Sequence, residues 1–155
     1  MLKSGYRKFK HLIRGWPVSL RLEIGMIVSF AWTTPAFLAE RKSVTRRQWD
    51  DAYAMRFKPG SIHQAYDKSP RNGGKQIGQI RIRSVAKEPI SRMSDSDYEA
   101  EGFKYMEECG LKIWGLTPRH AFQEWRVSGE SYWVIRFEIL SLPIGVEGGR
   151  DGHCP

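Results

Sequence analysis

"QIGQIRIRSV", residues 76–85, is the stretch on which the fold turns. Ile77, Ile80, Ile82 and Val85 read as a strand passing from one partly covered face to another. Within it Ile80-Arg81-Ile82-Arg83 alternates, setting the two arginines opposite the isoleucines. Such a half-buried strand needs partners, and the rest of the chain offers them. "SYWVIRFEIL", residues 131–140, puts Trp133, Ile135, Phe137 and Ile139 on one face of a second long strand. "SIHQAY", residues 61–66, alternates in the same way after a Pro59-Gly60 turn. "MIVSFAW", residues 26–32, reads as a buried first strand, and Ser43–Arg47 as a short strand around Val44.

Helix signals lie mainly between the two long strands. Ser94 is placed to cap a helix, with Asp97 three residues on, and Gly110 ends it. Thr117-Pro118 opens a second helix running to about Val127, with Phe122 and Trp125 inward and Gly129 as the stop. Earlier, Thr33-Thr34-Pro35 opens a short helix to Ala39 by threonine capping and a first-turn proline. About five strands without a βαβ rhythm or an internal repeat indicate an α+β fold, or a small barrel with helices packed against it.

The chain has 155 residues, 41% of them hydrophobic, which suits one domain with a real core. Its formal net charge is +8, which favours an anionic partner such as nucleic acid or a membrane surface. Five of those eight charges belong to residues 1–25, where six cations face Glu23 alone. These residues are read as a basic extension, residues 26–140 as the compact domain, and the Gly/Pro-rich residues 141–155 as a loose tail. The uncharged run Ile24–Ala39 is short for a membrane span and is interrupted at Thr33-Thr34-Pro35, so a buried strand is expected there rather than a signal peptide. Cys109 and Cys154 lie far apart with no CxxC or Cys/His cluster. Neither a disulfide framework nor a zinc site is expected, and a reducing, cytoplasmic setting fits. No cofactor or metal is implied, and no GxSxG, HExxH or dinucleotide fingerprint occurs.

Chemistry concentrates in "ERKSVTRRQW", residues 40–49. In a strand Lys42, Val44 and Arg46 share one face, and Ser43, Thr45 and Arg47 the other. The segment is either a charged edge that blocks aggregation or a set of anion contacts. "SPRNGGK", ending at Lys75, is either a flexible hairpin tip or an anion-binding turn. Trp49, Tyr53, Phe57 and Tyr66 interleave with Arg46, Arg47, Arg56 and Lys58, as base stacking with phosphate contacts would require, or a core with a charged rim. Glu101, beside Tyr98 and Phe103, is either an acid–base carboxylate or an ordinary helix glutamate. His63 and His120 stand alone and read as structural.

In order along the chain, "TTPAFL", "RKSVTRRQW", "FKPG", "GGKQIGQIRI", "DYEAEGF" and "YWVIRFEIL" resemble the ASCH domain family of the PUA-like superfamily over roughly residues 26–140. Lys42, Thr45 and Arg47 match its Gly-x-Lys-x-x-[Glu/Thr]-x-Arg signature, and Glu40 stands in the glycine place. The resemblance implies a small PUA-like β-barrel of five to six strands, two or three flanking helices and a cleft between them. It implies a protein that binds RNA or a modified nucleobase or nucleoside, without a metal or a membrane span. Lys42, Arg46, Arg47, Trp49, Lys75, Arg81 and Arg83 are then the candidate ligand contacts. Some small members are amidohydrolases that deacylate N4-acetylcytidine. On that alternative Lys42, Thr45 and Glu101 become the catalytic set, and metal-independent ribonuclease activity is a further variant.

Overall fold

A computed structural model describes residues 25–143 and Cys154. The fold is α+β. Five strands, β1 (Ile27–Ser29), β2 (Val44–Arg47), β3 (Ile62–Tyr66), β4 (Gln76–Pro89) and β5 (Ser131–Ser141), form one mixed sheet in the order β1-β3-β4-β5-β2. Only the β1–β3 pair is parallel. The stretch "QIGQIRIRSV" is the middle of this sheet. β4 carries β3 along its first residues and β5 along nearly its whole length, and it extends to Pro89, beyond the alternation legible around Ile80.

Five strands meet the expectation, but the ladder is open among the described residues rather than closed into a barrel. The sheet nevertheless curls. β4 and β5 lose register between Gln79 and Ile80 and again between Ile82 and Ser84, and such bulges bend a strand and increase its twist. The curl brings the two edges together: the Arg47 guanidinium on β2 donates to the carbonyl of Ser29 at the end of β1. A side chain thus links the edges where no backbone ladder runs.

The described residues form five short helices, more than the two or three expected: α1 (Thr34–Leu38), α2 (Asp51–Ala54), α3 (Asp97–Ala100), α4 (Phe103–Glu108) and α5 (Pro118–Arg126). The Thr117 hydroxyl caps α5 by accepting from the His120 amide, and Pro118 follows it, as the sequence indicates. At α1 the proline is in place, but neither threonine caps. Thr33 belongs to a preceding 3-10 turn, and its hydroxyl donates back to the Phe30 carbonyl at 2.7 Å. The single helix expected from Ser94 to Gly110 is broken in two at Gly102, whose φ of +97° is left-handed.

The core has two parts. One lies under the sheet around Phe37, Phe57, Ile80, Ile82 and Ile135; the other joins the helices around Ile90, Met93, Phe103 and Phe122. Helix α1 is the joint, with Phe37 in the first cluster and its neighbour Ala36 in the second. His63 is buried beside the Phe57 ring. It accepts the Met26 amide at Nδ1 and meets Ser61 Oγ through Nε2, a structural role for the histidine. Cys109 and Cys154 are bonded as a disulfide with a Cα–Cα distance of 5.2 Å. This single bridge corrects the reading of the cysteines as too far apart to matter, and cysteine spacing no longer argues for a reducing setting. No helix among the described residues is long and apolar enough to cross a membrane. The N-terminal extension and, apart from Cys154, the tail past residue 143 lie outside the described residues.

Glu40 connects α1 to the signature segment with φ +57°. A left-handed turn is therefore made here by a glutamate, against the penalty such a backbone carries for an L-residue. Its amide donates to the Phe37 carbonyl at 2.9 Å, and its exposed side chain enters no ion pair among the described residues. Glu40→Gly is expected to raise the unfolding free energy by up to about 1 kcal/mol, relief of strain exceeding glycine's extra chain entropy. Urea unfolding measures it; a loss of about 1 kcal/mol or more would show that the glutamate side chain contributes something else.

Candidate functional site

The segment after Glu40 is tied on three sides by its backbone. The Arg41 amide donates to Ala36 of α1, the Ser43 amide to Ala100 of α3, and the Phe137 amide of β5 to the Ser43 carbonyl, all at 2.8–2.9 Å. Lys42 is held between those ties with its side chain turned toward the end of α3. There Gly102 reverses the chain and packs so closely on α1 that an added Cβ would lie 2.7 Å from the Ala36 Cβ. Glu101, immediately before that turn, is directed inward.

The result is a buried charge cluster. Lys42 Nζ donates to the Glu101 carbonyl at 2.6 Å and to its Oε2 at 3.1 Å. Arg46 donates through Nη1 to Glu101 Oε1 at 2.7 Å and through Nη2 to Asp97 Oδ2 at 2.5 Å. Arg136 of β5 closes the far side with bonds to both Asp97 oxygens at 3.0 and 3.2 Å. Lys42, Glu101 and Arg46 are 4%, 3% and 8% exposed. Burial pushes the Lys42 amine below the ordinary lysine range, although Glu101 opposes the shift. Burial raises the Asp97 carboxyl, but bonds from Arg136 and Arg46 outweigh it and hold the group below the usual range.

The expected face sharing holds: Lys42 and Arg46 meet Glu101 together, and on the other face Arg47 Nε donates to Thr45 Oγ1 at 3.1 Å. β2 is an edge strand, as one reading of its charges had it, but not a solvated one. Val44, Thr45 and Arg46 are all buried, because α3 and the curled sheet cover them.

These residues form the floor of a cleft of about 310 Å³ at the seam of the two core clusters. Lys42, Thr45, Arg46, Arg47 and Glu101 all line it. Its walls are aromatic: Phe30 just after β1, Trp32 from the 3-10 turn that follows, Trp114 from the loop before α5, Trp125 from α5, and Tyr132 from β5. Trp32 and Trp114 meet edge to face at 5.9 Å between ring centres, 40% and 63% exposed. Trp114 holds φ +52° in a tight turn closed by the Ile113–Leu116 bridge, a rare backbone state for an aromatic residue.

Four candidate contacts stand apart from this cleft. Trp49 is half-buried and stacks on Phe57 at 4.6 Å. Arg81 and Arg83 both pair with Glu138 across β4 and β5, and Lys75 is exposed in the hairpin region. Asp97 was read as a helix-capping residue and is instead a buried partner of two arginines. The aromatic walls were missed as a set. Their only sequence signal is tryptophan itself, spread over residues 32, 114 and 125. Among the described residues no group of three His, Cys, Asp or Glu side chains is placed to hold a metal ion.

No family model matches the sequence, and no curated protein matches it. Among solved structures, the chain is similar to protein EF3133 from Enterococcus faecalis, described with the family model DUF984. The identity is 17%, with 93% of this chain and 97% of that one covered, at a TM-score of 0.48.

Proposed function

We propose that the cleft binds a nucleobase, presented by a modified nucleoside or by single-stranded RNA. The observation that carries this reading is the pairing of aromatic walls with a buried Lys42–Glu101–Arg46 floor. A planar ring between tryptophans gains stacking energy, and its polar edge needs fixed donors and acceptors, which such a floor supplies. A purely apolar ligand would make no use of the polar floor, and a small inorganic anion would not use the walls. The curl of the sheet, with Arg47 spanning its edges, and the signature residues in the cleft are consistent with the ASCH and PUA-like resemblance. The net charge of +8 suits an RNA-borne ligand.

The test is quenching of tryptophan fluorescence by ribonucleosides, N4-acetylcytidine and short single-stranded RNA. Trp114→Ala is expected to weaken base binding by about 1–3 kcal/mol, the worth of one stacking platform. Because this ring is largely exposed, the fold should be almost unaffected. RNA affinity should fall as salt rises. Unchanged affinity in Trp114→Ala, or RNA binding indifferent to salt, would count against the reading.

A catalytic reading, as an amidohydrolase of N4-acetylcytidine type, is favoured by one observation: Lys42, Thr45 and Glu101 line one cleft, with the lysine amine buried. Desolvation moves that amine toward the basicity of a general base, and Glu101 is placed to exchange its proton. Lys42 and Thr45 are not hydrogen-bonded to each other, so activation of the hydroxyl would need a ligand or water between them. Incubation with N4-acetylcytidine followed by mass spectrometry decides it: deacylation that stops in Lys42→Ala supports catalysis, and none leaves a binding protein. RNA left intact after long incubation excludes the ribonuclease variant.

A further inference from the structure

The three cations of the cleft floor are not equivalent. Glu101 engages Lys42 and Arg46 with both carboxylate oxygens, and Asp97 takes Arg46 again. Arg47 has no carboxylate within ion-pair distance among the described residues. Its Nε donates to Thr45 Oγ1 and its Nη2 to the Ser29 carbonyl, leaving Nη1 without an acceptor among the described residues. The guanidinium carbon lies 5.9 Å from the centres of both the Phe30 and the Trp49 rings, and the half-buried side chain has lost part of its water. Burial accordingly lowers its basicity. A desolvated, unneutralised guanidinium is unfavourable unless something anionic joins it.

We propose that Arg47 and the Thr45 hydroxyl form an anion subsite, and that the ligand of the cleft is a nucleotide carrying a phosphate group rather than a neutral nucleoside. The geometry suits that chemistry. The hydroxyl accepts from Arg47 Nε, so its own proton is free to donate to a ligand oxygen. The hydroxyl and the open Nη1 then offer donors to the oxygens of one anionic group, and a guanidinium suits phosphate. The Ser29 carbonyl and the two rings fix the fork before ligand arrives, so little orientation is lost on binding. The cleft, about 310 Å³, is at the small end of ligand sites, which suits one nucleotide and no duplex. This inference rests on the nucleobase reading above, since it assigns the phosphate of the same ligand.

The experiment is calorimetric titration of the full chain with each of the four ribonucleosides and its 5′- and 3′-monophosphates, at two salt concentrations. For the preferred base, one monophosphate should bind about tenfold or more tightly than the nucleoside at low salt, and the advantage should shrink as salt rises. In Arg47→Gln the ratio of monophosphate to nucleoside affinity should fall to about one, and Arg47→Lys should keep part of the advantage. Arg47 also ties the sheet edges, so if Arg47→Gln does not fold, Thr45→Val and the wild-type comparison decide. Equal affinity for a nucleoside and both its monophosphates overturns the phosphate subsite and leaves the nucleobase reading standing. No binding by any of the twelve compounds overturns both.

Discussion

Glu101→Gln is expected to lower the unfolding free energy by about 3–5 kcal/mol, the usual consequence of removing one partner from a buried ion pair. The size follows from what remains. Arg46 keeps Asp97, but Lys42 keeps only the backbone carbonyl of residue 101, in a site where burial already disfavours its charge. Glutamine preserves the shape and one acceptor, so the loss comes from charge rather than packing. Lys42→Met in the same chain should then recover much of it, because a buried pair replaced as a whole is often nearly neutral. Urea unfolding of the four proteins gives the coupling directly. A Glu101→Gln protein within about 1 kcal/mol of the parent would mean that the cluster is solvated, and the site would lose its floor.

Gly102→Ala should be nearly as damaging for a different reason. A left-handed backbone disfavours any Cβ by about 1–2 kcal/mol. At this position the new carbon also meets Ala36 at 2.7 Å, inside normal contact, and overpacking adds about 1–3 kcal/mol. Relief by separation of α1 from the α3–α4 turn would shift Glu101 away from Lys42, so ligand binding should fall along with stability. Ala36→Gly removes the atom struck and should restore part of the loss, leaving the conformational part. If Ala36→Gly gives no recovery in the double variant, the close approach of the two backbones is not what demands glycine.

Much of the fold was legible because its signals are local. Thr117-Pro118 names a helix start through its own hydroxyl and ring, and the alternation of Trp133, Ile135 and Phe137 names a strand through the pleat. The Lys42, Thr45 and Glu101 set was legible only through motif order. No periodicity links residue 42 to residue 101; they meet because Ser43 bonds to Ala100 and Gly102 turns the chain. Helices α3 and α4 were misjudged as one because they are too short for a 3.6-residue pattern to separate one helix from two. The cations were the hardest to sort. Arg46, Arg47, Arg81 and Arg83 look alike in sequence, and only tertiary pairing separates them. Two carboxylates hold Arg46, Glu138 holds Arg81 and Arg83, and among the described residues none holds Arg47.

The cleft as the ligand site is tested most directly by amide chemical-shift mapping during titration with a nucleotide or a short single-stranded RNA. The account predicts perturbations at Trp32, Lys42, Thr45, Arg47, Glu101 and Trp114, saturating with one affinity. Perturbations confined to Lys75, Arg81 and Arg83, or none at saturating ligand, would contradict it.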